Sequence, residues 1–294
     1  MLHIDDNLVL VDKNNGNLAL KLFSFEDYCE FDHIQRLNYY SIIWIMEGEG
    51  TLKSDFSEFA FHSNSIMAFT PYQPFMLTGD KPVKGVVLNF HPDFFCIHKH
   101  NETVACNGVL FNNIYGSPLL EMDEGTSAQL ELLLKQIKDE MLNGELAQHE
   151  VLVSYLKIVL ITASRKKVEE SDDEMIESSK ASEPFILKNL KKYIEENFRT
   201  KHSPSEYAEL LNITPKALGK VTKKHFNKTM TDMIAERIII EAKRELYLTD
   251  KQVKMIASEL GYSDEYYFSR FFKNYADVSP QVYRDTVGFA RASA

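Results

Sequence analysis

A cluster of lysines in the last third of the chain has the chemistry and the spacing to contact nucleic acid. Lys216, Lys220, Lys223 and Lys224 recur at helical intervals, so they share one face of a helix, with Leu218 on the opposite, apolar face. A lysine ammonium reaches guanine O6 and N7 as well as phosphate oxygens, so it discriminates between bases less well than the arginine fork does. The alternative interpretation is a solvated lysine face without a partner.

A second set of polar side chains lies further along the chain and contains the stronger candidates for reading bases. It consists of Glu265, Tyr266, Ser269, Arg270 and Lys273. Arg270 suits guanine or the phosphate backbone, whereas Glu265 suits the N4 donor of cytosine. Glu265 has a second interpretation, as an acidic residue that stabilises a helix N-terminus through the helix dipole.

Two helix-turn-helix units are predicted to position these side chains, near residues 203–226 and 251–274. Each contains an alanine followed four residues later by a turn residue, Asn212 in the first unit and Gly261 in the second, 49 residues apart. Glycine and asparagine adopt the left-handed turn that such a unit requires. The helix between the units, of about eighteen residues, is predicted to be about 27 Å long. That length places two recognition helices in successive major-groove segments, about 34 Å apart.

The last third of the chain resembles the signature of the AraC/XylS family of transcription regulators. The matching residues are Ala242, Lys243, Leu246, Ile256, Ala257, Gly261, Tyr262, Phe268, Ser269, Arg270, Phe272, Lys273, Pro280, Tyr283 and Arg284. By position, the resemblance makes Lys216, Gly219 and Lys220 the groove-facing residues of the first unit. It implies a DNA-binding regulator rather than an enzyme.

The sequence departs from the family pattern at three positions. Thr222 and Asn227 replace an aromatic residue and a glycine, so the first unit is expected to pack less tightly, and Asp277 replaces a glycine in the second unit. The resemblance also implies partners: double-stranded DNA, a small-molecule effector, a second copy of the chain docked through helices within 126–164, and RNA polymerase.

Net charge differs sharply between the two parts of the chain. The whole sequence has a net charge of −10, but residues 1–183 carry 14 Lys and Arg against 29 Asp and Glu, a net of −15, and residues 184–294 carry 19 against 14, a net of +5. The basic part can neutralise phosphates, which the acidic part would repel. The alternative is a chance partition of surface charge.

The N-terminal part reads as short strands followed by two helices. The predicted strands are Leu18–Phe25, Tyr39–Glu47, Gly50–Lys53, Phe56–His62, Ser65–Phe69, Phe75–Thr78 and Val83–Phe90. Their spacing indicates a sandwich or barrel, and the segment around Gly48-Glu49-Gly50 is similar to the jelly-roll (cupin-like) sensor domain of many AraC-family regulators. The two helices form a dimer interface by family analogy, or simply cover the barrel.

The expected fold class is therefore α+β multidomain. A cupin-like sensor and dimerisation domain is predicted over 1–164, a charged, solvated linker over 165–183, and an all-α DNA-binding domain over 184–294. A helical extension is the alternative for the linker.

An effector pocket is predicted inside the barrel. Its candidate lining residues are Trp44, His62, Phe69, Tyr72, Gln73 and Phe75. For each of them the alternative is ordinary core packing.

The rival hypothesis is a cupin-type metal enzyme. His98-Lys99-His100 has the spacing of a metal-binding pair but falls after the predicted strands, so no metal and no other cofactor is expected. Three cysteines without CxxC spacing read as reduced thiols, and the acidic N-terminus lacks signal-peptide features, which predicts a cytoplasmic protein.

Overall fold

The computed structural model describes residues 7–12, 16, 18–54, 57–97, 110–111, 114–144, 146–179 and 185–287. The chain divides into two compact units. The first comprises Met1–Asn113 and Ser117–Glu170, and the second comprises Ile114–Gly116 and Ser171–Ala294. A short segment from the middle of the sequence therefore belongs to the C-terminal unit, which the domain bounds predicted from the sequence do not anticipate.

The first unit is built on antiparallel strands, as predicted. The strands are β1 (Leu8–Val11), β2 (Leu18–Phe25), β3 (Tyr40–Glu47), β4 (Gly50–Ser54), β5 (Ser57–Phe61), β6 (Ser65–Phe69), β7 (Phe75–Thr78), β8 (Lys84–Phe90) and β9 (Leu119–Glu121). They form a six-stranded sheet in the order β1-β2-β8-β3-β6-β9 and a three-stranded sheet in the order β5-β4-β7. The sequence analysis did not predict β1 and β9, which are short edge strands of the larger sheet.

Alternation along β3 sends neighbouring side chains into two different cores. Ile42 and Trp44 pack in a cluster with residues of the helices α1 (Glu124–Leu142) and α2 (Gln148–Ser179). Ile43 and Ile45 point the other way, into an aromatic-rich cluster that takes residues from both sheets. The larger sheet is thus covered by helices on one face and by the smaller sheet on the other.

Helix α2 runs through most of the predicted linker. The sequence analysis favoured a solvated linker over 165–183, but α2 continues to Ser179, which is the helical extension considered as the alternative. The first turns of this stretch are anchored: Lys166 Nζ pairs with Asp123 at 2.8 Å. This ion pair holds the start of the stretch against the N-cap of α1, and serine is only moderately unfavourable in a helix.

The second unit is all-helical, as predicted. Its helices are α3 (Phe185–Asn197), α4 (Pro204–Leu210), α5 (Pro215–Phe226), α6 (Met230–Leu248), α7 (Val253–Glu259), α8 (Glu265–Ala276) and α9 (Pro280–Val287). Helix α6 is the central element, because α3, α5, α7, α8 and α9 all contact it. Its 19 residues correspond to about 28 Å, close to the predicted length.

The segment Ile114–Gly116 packs inside this second unit through Tyr115. The Tyr115 hydroxyl donates to Glu195 Oε1 at 2.8 Å, and its ring lies edge-on to Phe226 with centroids 6.1 Å apart. Lys228 Nζ donates to the Ile114 carbonyl oxygen at 3.4 Å. Burial, followed by the charge of Glu195, raises the pKa of Tyr115 well above its usual value, so the hydroxyl stays protonated.

Candidate nucleic-acid interface

The two turns predicted from the internal repeat have the same backbone geometry. Asn212 and Gly261 both have positive φ, 53° and 84°. One residue further on, the Ile213 amide donates to the Ala208 carbonyl at 3.0 Å, and the Tyr262 amide donates to the Ala257 carbonyl at 2.9 Å. The same hydrogen bond closes the end of α4 and the end of α7, so the repeat seen in the sequence is a repeat of structure.

Gly261 is required by its surroundings as well as by its φ. A Cβ at this position would overlap the Arg199 carbonyl oxygen and lie 3.1 Å from the His202 ring. The His202 ring itself lies 4.9 Å from the Tyr262 ring. The second turn is therefore packed directly against the chain between α3 and α4, which joins the two helix-turn-helix units into one body.

The repeat changes register by one residue after the turn. Thr214 caps α5 and Asp264 caps α8, each accepting a hydrogen bond from a first-turn amide, and these N-caps are 50 residues apart rather than 49. The C-terminal ends agree: Asn227 and Asp277 both take left-handed conformations, with φ of 53° and 62°. These are two of the positions where the family has glycine, and asparagine and aspartate supply the same backbone conformation.

With this register the two predicted contact sets align side by side. Equivalent pairs are Lys216 with Tyr266, Gly219 with Ser269, Lys220 with Arg270, Lys223 with Lys273, and Lys224 with Asn274. The lysines, Gly219, Tyr266, Arg270 and Lys273 are exposed, whereas Glu265 and Ser269 are half-buried. The spacing of 49 residues seen in the sequence applies before the turns and would pair different residues of α5 and α8. The sequence analysis missed the extra residue because it lies in the second turn, which is one residue longer than the first.

One predicted contact residue has a structural role in addition. Lys223 Nζ donates to the Asn227 carbonyl oxygen at 3.2 Å, which satisfies the free carbonyl end of α5. Lys216, Lys220 and Lys224 form the remaining exposed stripe on that helix. We therefore expect Lys223 to contribute less to nucleic-acid contact than these three.

The opposite face of α5 explains the departure at Thr222. Thr222 is fully buried where the second unit has Phe272, and its hydroxyl donates to the Gly219 carbonyl oxygen at 3.2 Å. The buried hydroxyl is thus satisfied within the helix. Gly219, on the exposed side, has open space around it: among the described residues, nothing beyond its own helix backbone lies within 4 Å of where its Cβ would be.

A buried carboxylate on α6, that of Glu241, accepts hydrogen bonds from three arginines of the second unit. Glu241 Oε1 accepts from Arg199 at 2.6 Å and from Arg244 at 2.9 Å, and Oε2 accepts from Arg237 at 3.1 Å. Burial alone would raise the pKa of Glu241, but Arg237 and then Arg244 and Arg199 outweigh it and hold the pKa below its usual value.

Arg284, from the family signature, has a comparable structural role. Its guanidinium donates to the carbonyl oxygens of Leu246 at 3.1 Å, Thr249 at 3.4 Å and Lys251 at 2.7 Å. These carbonyls belong to the end of α6 and the loop after it. Arg284 therefore ties α9 to the start of the second helix-turn-helix unit and does not serve the DNA face.

The residues predicted to line an effector pocket divide into a group at the β6–β7 turn, Phe69, Tyr72, Gln73 and Phe75, and two residues that lie apart from it, Trp44 and His62. Trp44 lies in the core between the larger sheet and the helices, whereas Phe69 and Phe75 lie in the core between the sheets. The latter two rings stack on each other with centroids 4.0 Å apart. A one-residue change of strand position reverses the face, and the sequence pattern of β3, apolar throughout, did not show which side Trp44 takes.

Of the three polar candidates, His62 lies apart, whereas Tyr72 and Gln73 lie in the turn that joins Phe69 to Phe75. His62 is exposed and bonds Glu121 through Nε2 at 2.9 Å; the hydrogen bond to the Ser63 carbonyl and the Glu121 carboxylate raise its pKa. Gln73 Oε1 accepts from the Thr70 amide at 3.1 Å. Tyr72 has a positive φ of 56° in the same turn. Gln73 and Tyr72 therefore shape the turn between β6 and β7.

The described residues contain no group of three His, Cys, Asp or Glu side chains that could hold a metal ion. His91 is buried beside Asp93, with Nδ1 3.5 Å from Oδ2. The His98-Lys99-His100 sequence and Cys106 lie outside the described residues, while Cys29 is exposed and Cys96 is buried.

Comparison with known proteins identifies the C-terminal unit. A family model described as a helix-turn-helix domain matches residues 207–286. The transcriptional activator AarP of Providencia stuartii is 30% identical over 99 residues, which cover 34% of this chain and 73% of AarP. The chain belongs to the AraC/XylS family of transcription regulators. This confirms the family that the resemblance indicated and the helix-turn-helix character of the second unit.

Two further similar proteins each match a little more than a third of the chain. The raffinose operon regulator RafR of Pediococcus pentosaceus is 30% identical over 109 residues, covering 37% of this chain and 39% of RafR, so less than half of that protein is compared. The solved C-terminal domain of AraT from Geobacillus stearothermophilus is 26% identical, covering 37% of this chain and 91% of that domain with a TM-score of 0.36. In the described residues, each helix is too short or too polar to cross a bilayer.

Proposed function

We propose that this regulator binds a specific operator by placing α5 and α8 in successive major-groove segments. The observation that carries the proposal is the repeated geometry: two capped recognition helices of 12 residues each, joined by a helix of 19 residues. The spacing of about 34 Å between successive groove segments is compatible with a connecting helix of this length.

The two helices are assigned unequal roles in this contact. Lys216, Lys220 and Lys224 give the first helix a positive stripe that neutralises phosphates and reaches guanine without strong discrimination. Arg270 gives the second helix a fork that fits guanine O6 and N7. Base selection is therefore assigned mainly to α8, and much of the salt-sensitive affinity to α5.

The direct test is binding of the full chain to duplexes from its own promoter region at several salt concentrations. Arg270→Ala is expected to cost about 1–3 kcal/mol on the operator and to relax base preference at one position. Lys224→Ala is expected to weaken operator and scrambled duplexes alike and to reduce the salt slope by about one. Binding that is absent, or independent of salt and sequence, contradicts the proposal. Equal effects of the two substitutions contradict the division of roles.

A homodimer through the helices of residues 126–164 is the second part of the proposal. Leu132 and Leu142 on α1 expose 58% and 56% of their surface, and Ile158 on α2 exposes 41%. Apolar side chains of this size are a plausible interface once grouped against a second copy. Sedimentation of the full chain checks it: Leu132→Asp or Ile158→Asp is expected to raise the dimer dissociation constant. Lys254→Asp, at an exposed position of α7 in the second unit, serves as the control.

Control by a small-molecule effector in the N-terminal unit is the third part. The interior between the sheets is filled by Phe69 and Phe75, and a cavity lined by Trp44, Leu130 and other apolar residues has a volume of about 10 Å³, room for one water molecule. An effector of metabolite size therefore has to move side chains or α1 and α2 as it enters. Such a rearrangement is the change that shifts the regulator between states.

Trp44 offers a direct assay for this effector. It is the single tryptophan of the sequence and is 4% exposed at the contact between the larger sheet and the helices. A screen of sugars, aromatic acids and other metabolites is expected to yield a compound that raises the melting temperature and shifts the Trp44 emission together. A library in which no compound changes either signal argues against effector control.

The operator lies on the chromosome, so we assign the protein to the cytoplasm. Bound near a promoter, the regulator either contacts RNA polymerase or excludes the polymerase from the promoter. A transcription assay with purified polymerase and the operator in place distinguishes activation from repression.

A further inference from the structure

Tyr266 is an aromatic side chain that the fold of the second unit does not use. It exposes 81% of its surface, and the described residues make no hydrogen bond, ring contact or ion pair with it. Its neighbour Tyr267 is different, because that ring lies 5.9 Å from the Tyr262 ring in the packed turn. The ring is therefore available for a contact with a partner, and its place on α8 decides which one.

The position of Tyr266 on α8 specifies where that partner lies. Tyr266 is the second residue of the helix, as Lys216 is the second residue of α5. The N-terminal residues of a recognition helix are the ones that meet base edges in the major groove. Arg270 follows four residues later, so the two side chains project from the same face about one turn apart.

The chemistry of the ring selects one base. In the major groove, hydrogen-bonding groups distinguish guanine, cytosine and adenine, whereas thymine presents a C5-methyl group, the apolar feature of that groove. A phenol ring buries its carbon surface against a methyl group and keeps its hydroxyl in water. The equivalent Lys216 has a charged end and lacks such a surface.

We infer that Tyr266 is a specificity residue that packs against the C5-methyl group of a thymine, next to the base pair contacted by Arg270. The inference rests on the proposed function, in which α8 enters the major groove. It predicts an asymmetric operator: a segment under α8 defined by a thymine and a guanine, and a segment under α5 that tolerates more base changes.

The test replaces thymine by uracil, which lacks only the C5-methyl group. The full chain is first bound to its footprinted operator, and each thymine is then changed singly to deoxyuridine. One position under α8 is expected to weaken binding about four-fold, the effect of removing one buried methyl group from apolar contact. Tyr266→Ala is expected to bind the two duplexes equally, while Tyr266→Phe, which keeps the ring, retains the four-fold difference.

Two control variants distinguish the contact between Tyr266 and thymine from the contacts of Lys216 and Arg270. Lys216→Ala, at the equivalent position of α5, is expected to retain the uracil effect although it binds more weakly overall. Arg270→Ala is expected to remove the effect of 7-deazaguanine at the adjacent base pair. Because Tyr266 is exposed, thermal unfolding of both Tyr266 variants should match that of the unsubstituted chain.

Three outcomes have distinct meanings. The inference is overturned, with DNA binding intact, if specific binding persists and no thymine-to-uracil change affects it. It is overturned equally if Tyr266→Phe loses as much affinity as Tyr266→Ala, since the hydroxyl then makes the contact, for example to phosphate. Absence of any sequence-specific duplex binding overturns the proposed function itself.

Discussion

Gly261 and Gly219 belong to the two helix-turn-helix units, yet their surroundings give them opposite consequences for stability. Gly261 has a φ of 84° and no room for a Cβ, whereas Gly219 lies inside α5 with open space beside it. One glycine is demanded by backbone conformation and close packing. The other weakens its helix, because glycine in a helix costs about 0.5–1 kcal/mol relative to alanine.

Alanine substitution at the two positions should therefore change stability in opposite directions. Gly261→Ala is expected to lower the free energy of unfolding by about 2 kcal/mol or more, from the left-handed conformation and the overlap with the Arg199 carbonyl. Gly219→Ala is expected to raise it by about 0.5–1 kcal/mol. Denaturant unfolding of the two variants decides the matter, and a loss of stability at both positions would show that Gly219 is packed.

The role of a single residue could be predicted from the sequence when it depends on the residue's own backbone conformation, and not when it depends on a partner distant in the sequence. The turn residues Asn212 and Gly261 were identified from the sequence because a left-handed backbone selects few residue types. The sequence did not show which face of the sheet Trp44 occupies, because its neighbours on β3 are apolar on both faces. Tyr115, whose partner Glu195 is 80 residues away, gave no local signal at all.

At the scale of elements, α6 is a helix whose charged residues hold its neighbours. Glu241 is buried, with 5% of its side chain exposed, and three arginines converge on it. Arg237 also donates to Glu195 of α3 at 2.7 Å. The ion pairs thus connect α3 and the α3–α4 loop to α6. Removing one charged member of such a buried cluster leaves the opposite charges of the others without a partner, which destabilises the fold.

Substitution of Glu241 should show both a loss of stability and a change in its pH dependence. Glu241→Gln is expected to lower the free energy of unfolding by about 3 kcal/mol near neutral pH. The pKa of Glu241 is lower in the folded chain than in the unfolded chain, so its stabilisation is present above the unfolded pKa of about 4.3 and disappears as the pH falls through the lower folded pKa.

The free energy of unfolding of both proteins is measured from pH 7 down to pH 3. The difference in this free energy between Glu241→Gln and the unsubstituted chain should become smaller as the pH falls. Glu209→Gln, an exposed carboxylate on α4, is the control and should change little at any pH. A difference that stays constant with pH would mean that Glu241 acts through its shape rather than its charge.

Element boundaries were largely predictable for a physical reason. Strand β6 has its predicted ends, and helix α5 ends at Phe226, where the first predicted unit ends. Turn residues bound the strand, and a capping threonine with a proline at the first helical position begins the helix. The edge strands β1 and β9 depend on pairing with β2 and β6 instead. The register of α8 was also hidden, since a turn one residue longer leaves the motif spacing before it unchanged.

At the scale of the whole molecule, the compact units do not follow the order of the chain. Ile114–Gly116 belongs to the second unit although the residues on both sides of it belong to the first. A fragment of residues 184–294, the domain expected from the sequence, therefore lacks part of the C-terminal core. For this reason the binding tests above use the full chain.

The contribution of this segment is measurable through one hydroxyl group. Tyr115→Phe removes the hydrogen bond to Glu195 and is expected to destabilise the second unit by about 1 kcal/mol. Amide hydrogen exchange in α3 should report it as faster exchange around residue 195. Tyr266→Phe removes a hydroxyl with no contact among the described residues and is the control; equal exchange in both variants would contradict a role for the Tyr115 hydroxyl.

The repeated architecture also has an evolutionary consequence. In the proposed binding mode two DNA-contacting helices are held by one set of buried residues. Their exposed faces, with lysines on α5 and Tyr266 and Arg270 on α8, contain none of these buried residues. Substitutions can therefore accumulate in one reader while the other keeps the regulator on its site. A lineage of such proteins can exchange one half of its target sequence at a time, without passing through an ancestor that binds nothing.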